Sequence, residues 1–294
     1  MTIVSNREVV SPRTLEEALA FLAERSAEGW HPIAGGTDVM VGLYAGREDR
    51  TRWLDLSGLS AELAGISREG DRIRIGGLTT MTALRGSPLL ANVAPIACEA
   101  AATIGAVQIQ NRATVAGNVV NASPAGDTLP VWLALDADVE LTSAHGRSLV
   151  PYQDFTTAYR TTVRLPHELV TAIEFAAPPP DTRLQFRKVG TRAAQAISKV
   201  VFAGALTMDE DGRCDRVRLA FGSVGPTPLR ARRAEEAAAG LPPGPECAAR
   251  AVAELRAELA PIDDVRSTAA YRTAVAENLV RAFLDAPART RDAD

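Results

Sequence analysis

Apolar residues recur at helical spacing from the start of the chain: Leu15, Ala18, Leu19 and Leu22 follow Thr14 and Glu17, whose separation of three residues suits a capping box. Gly29 can end this helix. A short apolar strand, Trp30 to Ala34, then runs into Gly35-Gly36-Thr37-Asp38, and Val39 to Leu43 resumes as a brief helix. Trp53 to Leu56 reads as the next strand. Asp71 to Gly77 alternates polar and apolar residues behind the Glu69-Gly70 turn, as a half-buried strand does. The pattern predicts helices over Thr80–Leu84 and Leu90–Ala102. From Thr103 to Asp127 helical periodicity fades and small polar residues dominate, which predicts loops and short strands facing a ligand. The apolar run Leu129 to Leu135 follows.

A hairpin is expected from Val139-Glu140-Leu141-Thr142 and Ser148-Leu149-Val150 around His145-Gly146, with Leu169 to Phe175 as a further strand. Pro178-Pro179-Pro180 continues neither a helix nor a central strand and marks a stiff boundary. Beyond it, Leu184 to Lys188, Ile197 to Thr207 and Val217 to Phe221 have strand character. Helices close the chain over Ala231–Ala239, Glu246–Leu259 and Tyr271–Leu284. Strands followed by helices predict a small α+β domain with a three-stranded sheet.

Composition narrows the function. A chain of 294 residues with 46% hydrophobic and 23% charged residues has core enough for two domains, which excludes a disordered protein. No segment reaches the roughly 18 uninterrupted apolar residues of a membrane helix, and Met1 to Arg7 lacks signal-peptide character. A cytoplasmic protein without a membrane partner is expected. The net charge of -4 argues against a nucleic-acid surface, which needs clustered Lys and Arg. Cys98, Cys214 and Cys247 are far apart in sequence and form no CxxC, so no thiolate-ligated cluster can be written from this chain. His31, His145 and His167 sit near turns without metal-ligand spacing, and no metal site is expected.

Three segments remain as candidate chemistry. Gly35-Gly36-Thr37-Asp38 after a strand is a candidate phosphate cradle, because glycines let backbone amides converge on an anion and the helix start adds unpaired N–H groups. It is neither a Walker loop nor GxGxxG, so a Rossmann nucleotide domain is not supported. The stretch Thr103 to Pro130 offers hydroxyls, amides and one carboxylate: Thr114 and Asn118 can hydrogen-bond, Ala116-Gly117 permits close backbone approach, and Asp127 can accept from a ribose hydroxyl. Lysine occurs only at Lys188 and Lys199, close together in a chain that otherwise uses arginine.

Taken together these segments resemble the FAD-binding medium subunits of molybdenum hydroxylases, and within them the xanthine dehydrogenase flavoprotein subunit. Ile33-Ala34-Gly35-Gly36-Thr37-Asp38 is similar to the first flavin motif of that family. Thr114-Val115-Ala116-Gly117-Asn118 resembles its T-x-G-G-N motif, and Ser123-Pro124 with Asp127 and Pro130 resembles the S-P-x-x-D-x-x-P that follows. Phe186 to Lys199 is similar to the stretch that opens the family's C-terminal domain. The resemblance spans nearly the whole chain. It departs at Ala116, where the family has glycine, a methyl that is tolerable only if that amide is not at closest approach to the ligand.

The resemblance implies an α+β fold: an FAD-binding domain of the vanillyl-alcohol oxidase (PCMH) type over 1–178, in subdomains of about 1–56 and 57–178. A smaller C-terminal α/β domain over 183–286 and a tail over 287–294 would follow. It further implies that FAD is held by Ile33, Ala34, Gly35, Gly36, Thr37, Asp38, Ile104, Thr114, Val115, Ala116, Gly117, Asn118, Asp127, Ile173, Lys188 and Lys199. In that reading Gly35, Gly36 and Thr37 hold the diphosphate, Thr114, Gly117 and Asn118 the phosphates or ribitol, and Asp127 the ribose of the adenosine half. Ile104 would lie near the isoalloxazine, and Lys199 would be a cation close to it. No residue is expected to act as a catalytic acid or base, because the redox chemistry belongs to the cofactor. Electrons would come from a partner iron–sulfur subunit carrying 2Fe-2S clusters and leave to NAD or oxygen. The molybdenum cofactor would sit on another partner, in a dimer of heterotrimers. A stand-alone flavin-dependent oxidoreductase of the same superfamily, with its own small-molecule substrate, is the alternative.

Overall fold

The computed structural model describes residues 7–192 and 195–285. Three main sheets organise the chain. The first is a small parallel sheet in the order Glu8–Val10, Arg52–Asp55, Trp30–Ile33. Parallel neighbours need a crossover, and the helix Thr37–Tyr44 supplies it between the last two strands. The Thr14 hydroxyl accepts from the Glu17 N–H at 3.1 Å and caps the helix Leu15–Arg25, as the sequence predicts. After one turn of 3₁₀ helix the chain reverses at Gly29, with φ of 81°.

The second sheet is antiparallel, in the order Ile66–Glu69, Arg72–Gly76, Leu169–Ala176, Asp138–Ser143, Gly146–Pro151. One face carries Ile73, Ile75, Val139 and Ile173 into the core, against Leu84, Ile96 and Trp132. The expected helix over Leu90–Ala102 is two helices, Pro88–Val93 and Pro95–Ala102. Pro95 has no N–H and so begins a new helix rather than extending the old one. The segment Thr103 to Asp127, expected as loops and short strands, contains two short helices, Val107–Gln110 and Val115–Asn121. Small residues and amides had masked their period.

Beyond the prolines, Arg183–Val189, Val200–Met208, Cys214–Gly222 and the two-residue strand Leu229–Arg230 form an antiparallel sheet. It has four strands, not three, because Leu229–Arg230 is too short to show a period. The helices Arg232–Ala238, Pro245–Glu258 and Ala269–Asp285 cover one face, around Phe202, Phe221 and Phe283. The other face meets Leu129–Ala134, a helix buried on all sides. Phe186, Val201, Ala203 and Ala220 therefore share one core with Trp132 and Ile96, across the proline boundary.

Candidate functional site

The first bend stands at the carboxyl end of the parallel strand Trp30–Ile33, where ligands of open parallel sheets are met. Gly36 adopts φ of 71° and opens the helix Thr37–Tyr44. Gly35 is needed for a different reason: a β-carbon there would lie 1.8 Å from the Arg112 carbonyl oxygen, so the two loops meet backbone to backbone. The N–H groups of Gly35, Gly36, Thr37 and Asp38 find no acceptor among the described residues. Four free amides in a row at a helix start can form a socket for an anion. No residue of this helix is buried, although it is apolar, and its Val39 and Val41 line the cavity described below.

The second bend is built differently. Thr114 caps Val115–Asn121, its hydroxyl accepting from Gly117 N–H at 3.2 Å. Val115 N–H donates to Thr79 O at 3.0 Å, Ala116 N–H to Gly77 O at 2.9 Å, and Asn118 N–H to Thr114 O at 3.0 Å. The amides of Val115, Ala116, Gly117 and Asn118 are therefore all engaged within the protein, which corrects the expectation that the main chain of this bend holds phosphates. What it offers is the Asn118 carboxamide, whose Oδ1 accepts from the Thr128 hydroxyl at 2.6 Å and whose Nδ2 has no partner among the described residues. The Ala116 methyl is accommodated for the reason anticipated. Its amide faces Gly77, and the methyl occupies the space where a Gly77 side chain would stand, 3.1 Å from that position.

Between the bends lies a cavity of about 720 Å³. Leu56, Leu63, Leu78, Leu169 and Val170 give it an apolar interior. Polar side chains also line it: Arg47, Glu48 and Arg50 from the segment after the cradle helix, and Tyr159, Arg160 and Arg164 from before the strand Leu169–Ala176. Tyr159 and Arg160 are the tip of a two-stranded hairpin, Thr156–Ala158 with Thr161–Thr162. His31 also reaches the wall, where burial, and then Arg50, hold its pKa below the ordinary imidazole value. Ile104 and Ile109 close one end. The Ile104 turn is held by Gln110, a buried amide whose Nε2 donates to Ala102 O at 3.1 Å and Ile104 O at 3.0 Å while its Oε1 accepts from Arg85.

Ile33, Ala34, Gly35, Gly36, Thr37, Asp38, Ile104, Thr114, Ala116, Gly117 and Asn118 all line this cavity. Five other expected residues do not. Val115 and Ile173 are core side chains, Ile173 sitting in register between Ile75 and Val139, so neither side chain can touch a ligand there. Asp127 is nine-tenths buried beside Lys188, whose Nζ donates to Asp127 Oδ2 at 2.6 Å and to Thr103 O at 3.0 Å. This pair lies against the Ile104 turn and not in the cavity. Burial pushes the Asp127 carboxyl up to about 6, with Lys188 opposing, and its Oδ1 has no hydrogen-bond partner among the described residues. Lys199 is placed elsewhere, its ammonium 4.9 Å from the centre of the Tyr271 ring. The apolar interior and the hairpin were not visible in the sequence. Leucines that line a cavity look like leucines of a core, and the sequence marked only a turn near His167 in this region.

The fit to FAD is good on this chain's own terms. The cavity has room for a flavin dinucleotide's elongated body, free amides for a diphosphate, and an apolar interior for flat ring faces. An orphaned carboxylate oxygen, Asp127 Oδ1, stands beyond the Ile104 end.

Comparison with known proteins agrees. Residues 5–178 match the FAD binding domain in molybdopterin dehydrogenase, and residues 185–286 match the CO dehydrogenase flavoprotein C-terminal domain. The chain is 32% identical over 286 residues to the carbon monoxide dehydrogenase medium chain of Afipia carboxidovorans, covering 96% of each. It is 34% identical over 232 residues to the xanthine dehydrogenase FAD-binding subunit of Escherichia coli O157:H7, covering 78% of each. The crystal structure of a Cu,Mo-CO dehydrogenase in its cyanide-inactivated form superposes with a TM-score of 0.89 at 30% identity, over 95% of this chain and 96% of that one. Quinoline 2-oxidoreductase from Pseudomonas putida 86 shares the fold, with a TM-score of 0.87 at 23% identity over 97% of each chain. With both domains matched end to end, the chain belongs to the FAD-binding subunits of the molybdopterin dehydrogenases, flavoprotein oxidoreductase subunits of the xanthine dehydrogenase family.

Proposed function

We propose that the chain binds FAD in this cavity and is the electron-transfer subunit of a molybdenum hydroxylase complex, taking electrons from a partner iron–sulfur subunit and passing them to NAD or oxygen. The observation that carries this reading is the set of four unpaired amides, Gly35 to Asp38, facing a cavity of dinucleotide size at the carboxyl ends of parallel strands. When bound, FAD supplies the ability to accept and return electrons in ones and twos. The Gly35, Gly36, Thr37 and Asp38 amides seat the diphosphate, with Ile33 and Ala34 leading into them. Asn118 Nδ2 donates from the opposite wall, where Thr114, Ala116 and Gly117 set the spacing. Ile104 lies against the flavin end, and the Lys188–Asp127 pair behind its turn fixes the local charge. Lys199 contributes a cation only from a distance.

The relatives are named as medium chains or subunits, which supports work within an assembly. Molybdenum cofactor and 2Fe-2S clusters belong in this reading to partner chains, and the assembly is a dimer of heterotrimers in the cytoplasm. No helix among the described residues is long and apolar enough to cross a membrane. The test is native purification of the full chain with whatever accompanies it, followed by flavin and metal analysis. FAD in the chain, with molybdenum and iron in the co-purifying polypeptides, is the expected result. A chain that alone bleaches its flavin with an organic substrate would instead be a self-sufficient oxidoreductase.

A further inference from the structure

The arginines that line the cavity are unequally engaged. Arg50 is paired with Glu48 at 2.5 Å, and Arg164 donates to the carbonyl oxygens of Leu165 and Glu168 at 2.8 and 2.7 Å. The Arg47 side chain has no partner among the described residues; its backbone N–H alone is bonded, to Gly42 O at 2.8 Å. Arg160 pairs with no carboxylate among the described residues. Its Nη1 donates to the neutral amide of Asn121 at 3.1 Å, and Asn121 Nδ2 donates in turn to Asp38 Oδ1 at 3.1 Å. This relay carries a cation from the hairpin tip, past the end of the helix Val115–Asn121, to the first turn of the cradle helix. Arg160 is held there in a left-handed backbone conformation, φ 53°, that a non-glycine residue seldom adopts.

Two guanidinium groups that meet no carboxylate among the described residues, one just after the cradle helix and one at the hairpin tip, match the two negative charges of a diphosphate. The amides of the socket carry only partial charge, equivalent to about half a unit at a helix start. Asp38 places a full negative charge on that same turn. We propose that Arg160 and Arg47 are the charge partners of the FAD diphosphate, and that Arg160, through Asn121, also offsets Asp38. This rests on the reading of the cavity as the FAD site. The two side chains thereby select a dinucleotide over a flavin without phosphates.

The test removes flavin from the full chain and titrates it with FAD and with riboflavin, following flavin fluorescence at several salt concentrations. Wild type is compared with Arg160→Gln, Arg47→Gln, Arg160→Lys and, as a control away from the site, Arg250→Gln. Each of the two site glutamines is expected to weaken FAD about tenfold, the scale of one charge-assisted contact, and to flatten its salt dependence. Riboflavin binding stays unchanged, Arg160→Lys recovers most of the loss, and the control does nothing. Equal FAD affinity and equal salt dependence in wild type and both variants would overturn the proposal. So would a parallel loss of riboflavin, which reports damage to the fold. A nicotinamide dinucleotide carries the same diphosphate, so NAD is titrated onto the FAD-loaded chain, and a loss confined to NAD also overturns it. If wild type binds neither flavin, the reading of the cavity itself fails.

Discussion

Substituting alanine at Gly35 tests how tightly the two bends are locked. Its methyl would stand 1.8 Å from the Arg112 carbonyl oxygen and 2.5 Å from the carbonyl carbon, against backbone that no rotamer can clear. Ordinary contact requires the loops to separate by about 1.5 Å, on the scale at which packed cores lose roughly 1–3 kcal/mol to overfilling. A shift of that size takes an amide from hydrogen-bonding range to beyond it. If two of the four socket amides are lost, at about 1.5–3 kcal/mol for each bond to a charged group, FAD binding weakens roughly 10²- to 10⁴-fold. Gly36→Ala provides the internal comparison. Its methyl would be 3.5 Å from the Ile33 side chain, without collision, and the cost is the left-handed φ alone, about 1–2 kcal/mol. The assay is the flavin-to-protein absorbance ratio after native purification, with Kd from fluorescence titration of the flavin-free chain. A Gly35→Ala protein that keeps wild-type occupancy and Kd, or one that binds FAD better than Gly36→Ala, would refute the assignment of this bend as the anion socket.

Asp127, with its folded-state pKa raised to about 6 from an ordinary 3.8, makes folding favour its protonated form. That contribution is complete below pH 4 and disappears as pH rises through 6, by at most about 3 kcal/mol. Wild type should therefore gain melting temperature relative to Asp127→Asn on going from pH 7 to pH 4.5; parallel melting curves for the two would contradict the burial of a titrating carboxyl. Arg272 is buried and donates to Lys199 O at 2.8 Å, Ser223 O at 2.9 Å and Asp264 Oδ1 at 2.8 Å. Arg272→Met removes the donor to two carbonyls and the guanidinium beside Asp264, which keeps its backbone bonds to Arg266 and Ser267, and should cost roughly 3 kcal/mol in urea unfolding; a change under 1 kcal/mol would show the cluster to be solvated. Cys214 and Cys247, remote in sequence, lie with sulfurs 3.9 Å apart in the C-terminal core, and burial pushes the Cys214 thiol up to about 12. Neither should react with maleimide at pH 8 until the chain is unfolded, which mass spectrometry of labelled peptides would show.

The parts of the site that depend on local geometry were legible in the sequence. Thr14 announces its cap, and a strand followed by Gly35-Gly36 announces a socket, because glycine's backbone freedom leaves a mark in the residue letters themselves. The second bend was legible as a place but not in its role: Thr114 to Asn118 do line the cavity, yet only the fold reveals that Gly77 and Thr79 take up their amides. Ile173 and Val115 entered with the family resemblance; strand alternation turns Ile173 into the core, and Val115, the first residue of its helix, is buried there too. Leu56, Leu78, Leu169 and Arg160 were illegible because they converge from separate stretches of the chain. Their sequence pattern is that of any amphipathic element, and their shared function exists only after the chain has closed.

The helix Leu129–Ala134 has no solvent-facing side: it is covered by the second sheet's layer on one flank and by Val200–Met208 and Cys214–Gly222 on the other. Its residues lie before the prolines, while half of its cover lies after them. The two stretches matched by separate family models therefore share one interior, and loosening this helix would unsettle both at once, however much the proline seam resembles a joint.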